Sequence, residues 1–188
     1  MSYFQEPADL STAGRPAANI YLTGLMGAGK TTVGRFLSHA LGALFYDTDE
    51  IIVAAEGMSI NEIFARKGEP YFRDQETELL RKLAATAPGS AVISTGGGMV
   101  IRKENRALMR RNGLIVYLHV PAKEAFRRLS GTGDRPLLNP AGDGAILEEL
   151  LEKRKPFYQD ADLVINTAGK PPPKIASEIK EAVKVWKK

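Results

Sequence analysis

A glycine-rich segment, GLMGAGKTT, lies at residues 24–32, directly after a short apolar run. Gly24, four further residues and then Gly29, Lys30 and Thr31 fit the phosphate-loop pattern G-x-x-x-x-G-K-[ST]. The N–H groups of such a loop and the N-terminus of the next helix attract phosphate oxygens. We therefore predict a nucleotide site, with ATP expected, in which Lys30 reaches the β- and γ-phosphates and Thr31 meets Mg²⁺. The loop alone does not separate kinases from GTPases and motor ATPases.

Two carboxylates, Asp47 and Asp49, flank one residue at the end of the second predicted strand, in the segment YDTDE. Ligands of open parallel sheets bind at the carboxyl ends of the strands. One carboxylate could hold the water shell of Mg²⁺, while the other accepts a proton from a substrate hydroxyl during phosphoryl transfer. One of the two aspartates could instead cap the helix that follows, and for Asp49 a ligand role and a cap role both stay open.

Three consecutive glycines, Gly96 to Gly98, follow the apolar run AVIS. They permit unusual dihedral angles and a close approach of a ligand to the backbone, so we expect a binding loop. Three arginines could recognise a carboxylate or a phosphate through two parallel hydrogen bonds: Arg73 in YFRDQE, Arg135 in SGTGDRPLL and Arg154 in LEKRKPFYQDA. The glycine-bearing surroundings of Arg135 suit a mobile lid over a transferring phosphate.

Short apolar runs that alternate with helical patterns must position these residues. The predicted strands are Asn19–Thr23, Leu44–Asp47, Ala91–Ser94, Leu114–Leu118 and Leu163–Asn166. The first helix should face the core with Val33, Phe36, Leu37, Ala40 and Leu41. Strands alternating with helices predict parallel βαβ units and an α/β sheet covered on both faces.

The composition bounds the remaining possibilities. With 188 residues and 44% hydrophobic residues, we expect one domain over residues 19–188, preceded by a flexible leader at 1–18. The chain has no cysteine, which fits a reducing, cytoplasmic location, and no apolar stretch reaches the ~20 residues of a membrane helix. The net charge of +4 and the lack of aromatic residues within a basic stripe disfavour nucleic-acid binding.

Taken in order, these motifs resemble the shikimate kinases from about Asn19 to Asn166. The resemblance is carried by the phosphate loop, the D-x-D of Asp47 and Asp49, the F-R of residues 72–73, the triple glycine, DRPLL and the R-x-x-x-Y of residues 154–158. It implies an α/β P-loop fold of the nucleoside-monophosphate-kinase type in three layers, with a five-stranded parallel sheet of order 2-3-1-4-5. It also implies a shikimate-binding segment at about 48–75 and a lid at about 128–138.

The resemblance further implies transfer of the γ-phosphoryl group of ATP to the 3-hydroxyl of shikimate, with Mg²⁺, in the biosynthesis of chorismate and aromatic amino acids. The implied catalytic residues are Asp49 as the base, Lys30 and Arg135. The implied substrate-binding residues are Asp49, Arg73, Gly96, Gly97, Gly98 and Arg154. The implied nucleotide-binding residues are Gly27, Ala28, Gly29, Lys30, Thr31, Thr32, Arg128, Arg135 and Lys170, and the implied metal-binding residues are Thr31 and Asp47.

Other predictions and alternatives complete this interpretation. Glu76 lies one helical turn after Arg73 and should pair with it. Lys170 stands where some relatives carry an arginine against the adenine, and lysine does not stack as arginine does. A monomer is expected. The alternatives are a gluconate or other small-molecule kinase, a nucleoside-monophosphate kinase, and a regulator that binds nucleotide without catalysis.

Overall fold

Runs of Ile, Val, Leu and Tyr form the strands of the sheet. The computed structural model describes residues 18–86, 91–129 and 144–186. Within them the strands are β1 (Asn19–Thr23), β2 (Leu44–Asp47), β3 (Ala91–Ser94), β4 (Gly113–His119) and β5 (Leu163–Asn166). All pairs are parallel, in the order β2-β3-β1-β4-β5. The predicted sheet order is therefore confirmed, and only β4 differs from its predicted bounds, by one residue at each end.

Strand β1 occupies the centre of the sheet, with Ile20 opposite Val92 on one side and Leu114 on the other. All five residues of β1 are buried. A strand covered on both faces needs no polar side for solvent, which explains why β1 has three consecutive apolar residues at its centre.

Helices connect the strands and cover the sheet. They are α1 (Lys30–Leu41), α2 (Thr48–Glu56), α3 (Ile60–Thr86), α4 (Lys103–Asn112), α5 (Ala122–Leu129), α6 (Gly144–Gln159) and α7 (Pro172–Val185), with a 3₁₀ turn at Met99–Ile101. Helix α3 is kinked at Gly68, whose φ of 84° and ψ of 162° interrupt the helix two residues before Pro70. None of the helices in the described ranges is long and apolar enough to span a membrane.

The core-facing stripe of α1 is narrower than its sequence pattern predicts. Val33, Leu37 and Leu41 are buried against the sheet, but Phe36 is 47% exposed and Ala40 is also exposed. The prediction that Phe36 and Ala40 belong to this core-facing stripe was therefore wrong. The buried residues recur every four positions, whereas Phe36 and Ala40 each lie one position before a buried leucine, about 100° away around the helix.

The carboxyl ends of β1, β2 and β3 bring three loops together at one edge of the sheet. Thr95, just beyond β3, donates hydrogen bonds from its backbone N and its Oγ1 to the carbonyl oxygen of Leu22, at 3.1 and 3.0 Å. The glycine loop that follows β3 is thereby held beside the phosphate loop that follows β1. Residues 1–17 of the predicted leader lie outside the described residues. Residues 130–138 of the predicted lid, among them Arg135, lie outside them as well.

Candidate active site

Glycines of the phosphate loop are required by a left-handed backbone and by close packing. Gly29 precedes α1 with φ 88°, in the left-handed region that side chains disfavour. A Cβ built on Gly27 would lie 2.7 Å from the carbonyl oxygen of Ala125, too close for any side chain. Lys30 Nζ donates to the carbonyl oxygens of Gly24 and Leu25, at 2.9 and 3.1 Å. The lysine therefore folds back over the loop, where its charge could meet a phosphate chain.

The predicted metal-binding residues are in direct contact. Thr31 donates from Oγ1 to Oδ2 of Asp47 at 2.7 Å. The other carboxylate oxygen of Asp47 accepts from the backbone N of Asp49 and of Glu50, at 3.1 and 3.3 Å. Asp47 is thus the N-cap of α2, and the alternative that Asp49 caps this helix was wrong. The cap requires a residue in extended conformation just before the helix, whereas Asp49 lies within its first turn.

These oxygen atoms fit a hard divalent cation. A hydroxyl and a carboxylate are the kinds of ligand that Mg²⁺ takes in nucleotide sites, where phosphate and water oxygens complete its coordination. Over the described ranges, the structure holds no group of three or more His, Cys, Asp or Glu side chains able to bind a metal. Thr31 and Asp47 could hold Mg²⁺ together with a nucleotide.

Arg73 is fixed by acidic residues on both sides along α3. Its Nη1 lies 2.8 Å from Oε2 of Glu76, and its Nη2 lies 2.7 Å from Oε1 of Glu69. The predicted pair of Arg73 and Glu76 is confirmed. The side chain of Glu76 is completely buried and that of Arg73 is 12% exposed. Two neighbouring turns of one helix therefore hold the guanidinium in a defined position.

Among the acidic residues near the glycine loop after β3, Glu76 has the most unusual environment. Burial raises the pKa of its carboxyl to about 7, against the opposing effect of Arg73, while Asp49 adds to the rise. Within the described part of the chain its Oε1 has no hydrogen-bond partner. A Cβ built on Gly96 would lie 2.6 Å both from this oxygen and from Oδ1 of Asp49. The two carboxylates therefore approach the same glycine from α2 and α3.

The remaining glycines of the loop face the two arginines. A Cβ on Gly98 would collide with the guanidinium of Arg73, and a Cβ on Gly97 would lie 3.6 Å from Nη1 of Arg154. None of the three glycines has a φ in the left-handed region, so a left-handed backbone is not what this loop uses glycine for. Charged side chains of the protein itself come close to the backbone of this loop. The loop thus gathers Asp49, Arg73, Glu76 and Arg154 beside the phosphate loop.

On the opposite side of the phosphate loop, Arg128 joins three segments. It donates from Nε to Glu124 at 3.1 Å, from Nη1 to the carbonyl oxygen of Gly27 at 3.3 Å, and from Nη2 to that of Thr167 at 2.9 Å. Lys170 lies in the same segment after β5 and pairs with Glu178 at 2.7 Å. Arg128 therefore lies beside the phosphate loop, and Lys170 lies in the turn after β5.

The sequence interpretation missed Glu124 and Glu69 as partners of Arg128 and Arg73, respectively. Both could have been found from spacing, because each lies four residues before its arginine on one helix, the distance at which side chains meet. The predicted Ala28 is buried in the phosphate loop, while Thr32 is exposed on the first turn of α1.

Comparisons with known proteins bear on the family of this chain. The family model for shikimate kinase matches residues 26–184. The shikimate kinase of Geobacter metallireducens is 46% identical over 171 residues, covering 90% of this chain and 94% of that protein. That of Marinomonas sp. is 43% identical, covering 89% and 93%.

Solved structures agree as well. The structure of shikimate kinase from Acinetobacter baumannii in complex with shikimate superimposes with a TM-score of 0.86 and 36% identity, covering 93% of this chain and 97% of that one. A gluconokinase from Sinorhizobium meliloti, at 17% identity and a TM-score of 0.57, shares the fold alone. The fold, the ordered motifs and these similarities lead to one conclusion: the chain belongs to the shikimate kinase family.

Proposed function

We propose that this chain transfers the γ-phosphoryl group of ATP to the 3-hydroxyl of shikimate, forming shikimate 3-phosphate and ADP. One observation carries the proposal: the glycine loop after β3 gathers two arginines and Asp49 beside a complete phosphate loop. One side of this arrangement suits a polyphosphate. The other side suits a small acceptor that has both a carboxylate and hydroxyl groups.

The acceptor would be held by charge and by geometry. Within the described part of the chain, Arg73 uses three of its five N–H groups on Glu69 and Glu76. One N–H remains on each terminal nitrogen for a bidentate contact with the shikimate carboxylate, and Arg154 would contribute the second cation. Gly96, Gly97 and Gly98 would support the acceptor through the backbone.

Asp49 is the residue proposed to accept the proton of the attacking hydroxyl. It lies at the N-terminal turn of α2, and its Oδ1 faces Gly96 close to Glu76. Orientation of the hydroxyl toward the phosphoryl group is the main contribution expected of it, because phosphoryl transfer depends chiefly on positioning and charge stabilisation.

The phosphate chain would lie on the N–H groups of Gly27, Ala28 and Gly29, with Lys30 and Thr32 at the start of α1. Lys30 and Arg135 would neutralise charge on the transferring group. Thr31 directly and Asp47 through water would hold Mg²⁺, which when bound shields the negative charge of the phosphate oxygens. Arg128, fixed by Gly27 and Thr167, would pack against the adenine, and Lys170 would line the same side.

The expected cellular setting is the cytoplasm, and the expected oligomeric state is a monomer. Shikimate 3-phosphate would then pass into the biosynthesis of chorismate and the aromatic amino acids.

The test is ADP release from Mg·ATP without an acceptor and with shikimate, gluconate or a shikimate analogue lacking the carboxylate, followed by mass spectrometry of the products. We expect strong stimulation by shikimate, formation of shikimate 3-phosphate, and weak use of the analogue. Tight ATP binding with no stimulation by shikimate would overturn the proposed acceptor. A kinase for another acceptor or a nucleotide-binding regulator would then account for the phosphate loop.

A further inference from the structure

Tyr158 completes the R-x-x-x-Y segment, and no role in the reaction has been given to it so far. Its side chain is completely buried near the carboxyl end of α6, and its hydroxyl donates to the carbonyl oxygen of Gly97 at 2.6 Å. The two residues are 61 positions apart in the chain. This single hydrogen bond therefore ties α6 to the middle of the glycine loop that faces the acceptor site.

Arg154 reaches the same glycine. Residues four apart on a helix share one face, so Arg154 and Tyr158 lie together on α6. Nη1 of Arg154 lies 3.6 Å from the Cβ position of Gly97, whose carbonyl oxygen accepts the hydrogen of the Tyr158 hydroxyl. Tyr158 and Arg154 thus both meet Gly97, one through a hydrogen bond and the other through a close approach of its guanidinium.

The ring that carries this hydroxyl is itself held in place. It stacks on the ring of Tyr117 with centroids 5.0 Å apart and planes inclined by 11°. The Tyr117 hydroxyl makes a separate hydrogen bond with Nδ1 of His119 at 2.9 Å. Because Tyr117 belongs to β4, the position of the Tyr158 ring is set by the sheet and not by α6 alone.

We propose that Tyr158 is a positioning residue for acceptor binding. It sets the position of Gly97, against which the Arg154 guanidinium lies, so that both meet the acceptor in one geometry. It reaches no reacting atom itself and acts through these two residues. The identity of the acceptor rests on the function proposed above, so the wild-type enzyme must first show turnover that depends on shikimate.

The variant Tyr158→Phe removes the hydroxyl and keeps the ring stack. Tyr117→Phe is the matched control, because it removes a hydroxyl from the other ring of the same stack without affecting Arg154 or Gly97. For both variants the measurements are kcat, KM for shikimate, KM for ATP and the melting temperature. Affinity is also compared between shikimate and its carboxamide analogue, which keeps the shape of the acceptor but lacks the negative charge.

For Tyr158→Phe we expect KM for shikimate to rise by about 5- to 10-fold, the size expected when a buried hydrogen-bonded group loses its partner. KM for ATP should change less than about twofold, and the preference for shikimate over the carboxamide should fall with the loss of Arg154 alignment. Tyr117→Phe should leave all three values near those of the wild type. A double variant with Arg154→Lys should lose less than the product of the single effects, because both changes act on one contact.

Several results would overturn the proposal. They are a lower melting temperature with unchanged KM for shikimate, an equal rise in both KM values, an unchanged preference over the carboxamide, or equal effects in the Tyr117→Phe control. If Tyr158→Phe does not fold, 4-fluorophenylalanine at position 158 fills the space of the hydroxyl without donating. It should then reproduce the KM effect, and 4-aminophenylalanine, which donates, should restore KM for shikimate. A wild-type enzyme without turnover on shikimate would instead contradict the proposed function.

Discussion

Arg73 and Glu76 face each other across one turn of α3, with Nη1 of the arginine 2.8 Å from Oε2 of the glutamate. The carboxylate is completely buried, so its charge is removed from water and balanced chiefly by Arg73. A buried pair of this kind adds little net stability, yet losing one partner is costly because the other charge is left unpaired. The pair therefore holds the guanidinium of Arg73 against Gly98 of the glycine loop.

The titration of Glu76 should appear in the stability of the protein. The folded-state pKa of about 7 lies above the ordinary value of 4.5, so the folded protein binds this proton more tightly than the unfolded chain does. The stabilisation of the folded state that results from this tighter proton binding is fully present below pH 4.5. It is lost as the pH rises through about 7. Glu76→Gln abolishes the titration. The free energy of unfolding of the wild type relative to this variant should fall across that interval, by on the order of 1–3 kcal/mol.

Urea denaturation at several pH values measures this difference. Glu78→Gln, on the exposed side of the same helix, is a suitable control and should show no such trend. A wild-type minus Glu76→Gln difference that stays flat over the interval would contradict the raised pKa of Glu76.

Gly98→Ala should separate folding from acceptor binding. The added methyl group would collide with the Arg73 guanidinium, which is the movable end of a long side chain, so the fold can accommodate it by displacing Arg73. We expect a melting temperature within a few degrees of the wild type and a rise of at least about tenfold in KM for shikimate, corresponding to one lost ionic contact. Gly144→Ala is the matched control, because no atom of the described residues lies within 4 Å of its Cβ position. Unchanged KM in Gly98→Ala would show that Arg73 does not bind the acceptor.

Substitutions at Asp47 should distinguish its role as a helix cap from its role in binding Mg²⁺. In Asp47→Asn the amide oxygen can still accept from the N–H groups of Asp49 and Glu50, whereas the negative charge is lost. We expect near-normal stability and a rise of about tenfold in the Mg²⁺ concentration that gives half-maximal activity. Asp47→Ala should show the same Mg²⁺ effect and also lose about 1 kcal/mol of stability. If the asparagine variant kept the wild-type Mg²⁺ requirement, the metal role would be excluded.

Arg135 and Arg73 should affect different kinetic parameters. Arg135→Ala removes a charge expected to act on the transferring phosphoryl group, so kcat should fall by about 10²–10³ with little change in KM for shikimate. Arg73→Ala should mainly raise KM for shikimate. Because it also leaves the carboxylate of Glu76 unpaired, Arg73→Lys, which keeps the positive charge, is a useful companion. Steady-state kinetics in both substrates provide the comparison, and equal effects on kcat and KM in both alanine variants would refute this division.

Much of the architecture was predictable from local patterns. The strands are short apolar runs bounded by turn residues, and four of the five have the predicted bounds. The phosphate loop was predictable because its function depends on residue types at fixed spacing within nine positions. The pair of Arg73 and Glu76 was predictable for a similar reason, because one helical turn sets the distance between them.

The sequence by itself therefore determined the sheet, the phosphate loop and the types of charged residue available to the site. Only the tertiary structure decided which aspartate caps α2, which charged side chains approach Gly96 and Gly98, and that Tyr158 donates to Gly97. The physical reason is distance along the chain. Helical spacing and turn chemistry act between near neighbours, whereas contacts between residues tens of positions apart exist only after the strands have paired in one particular order.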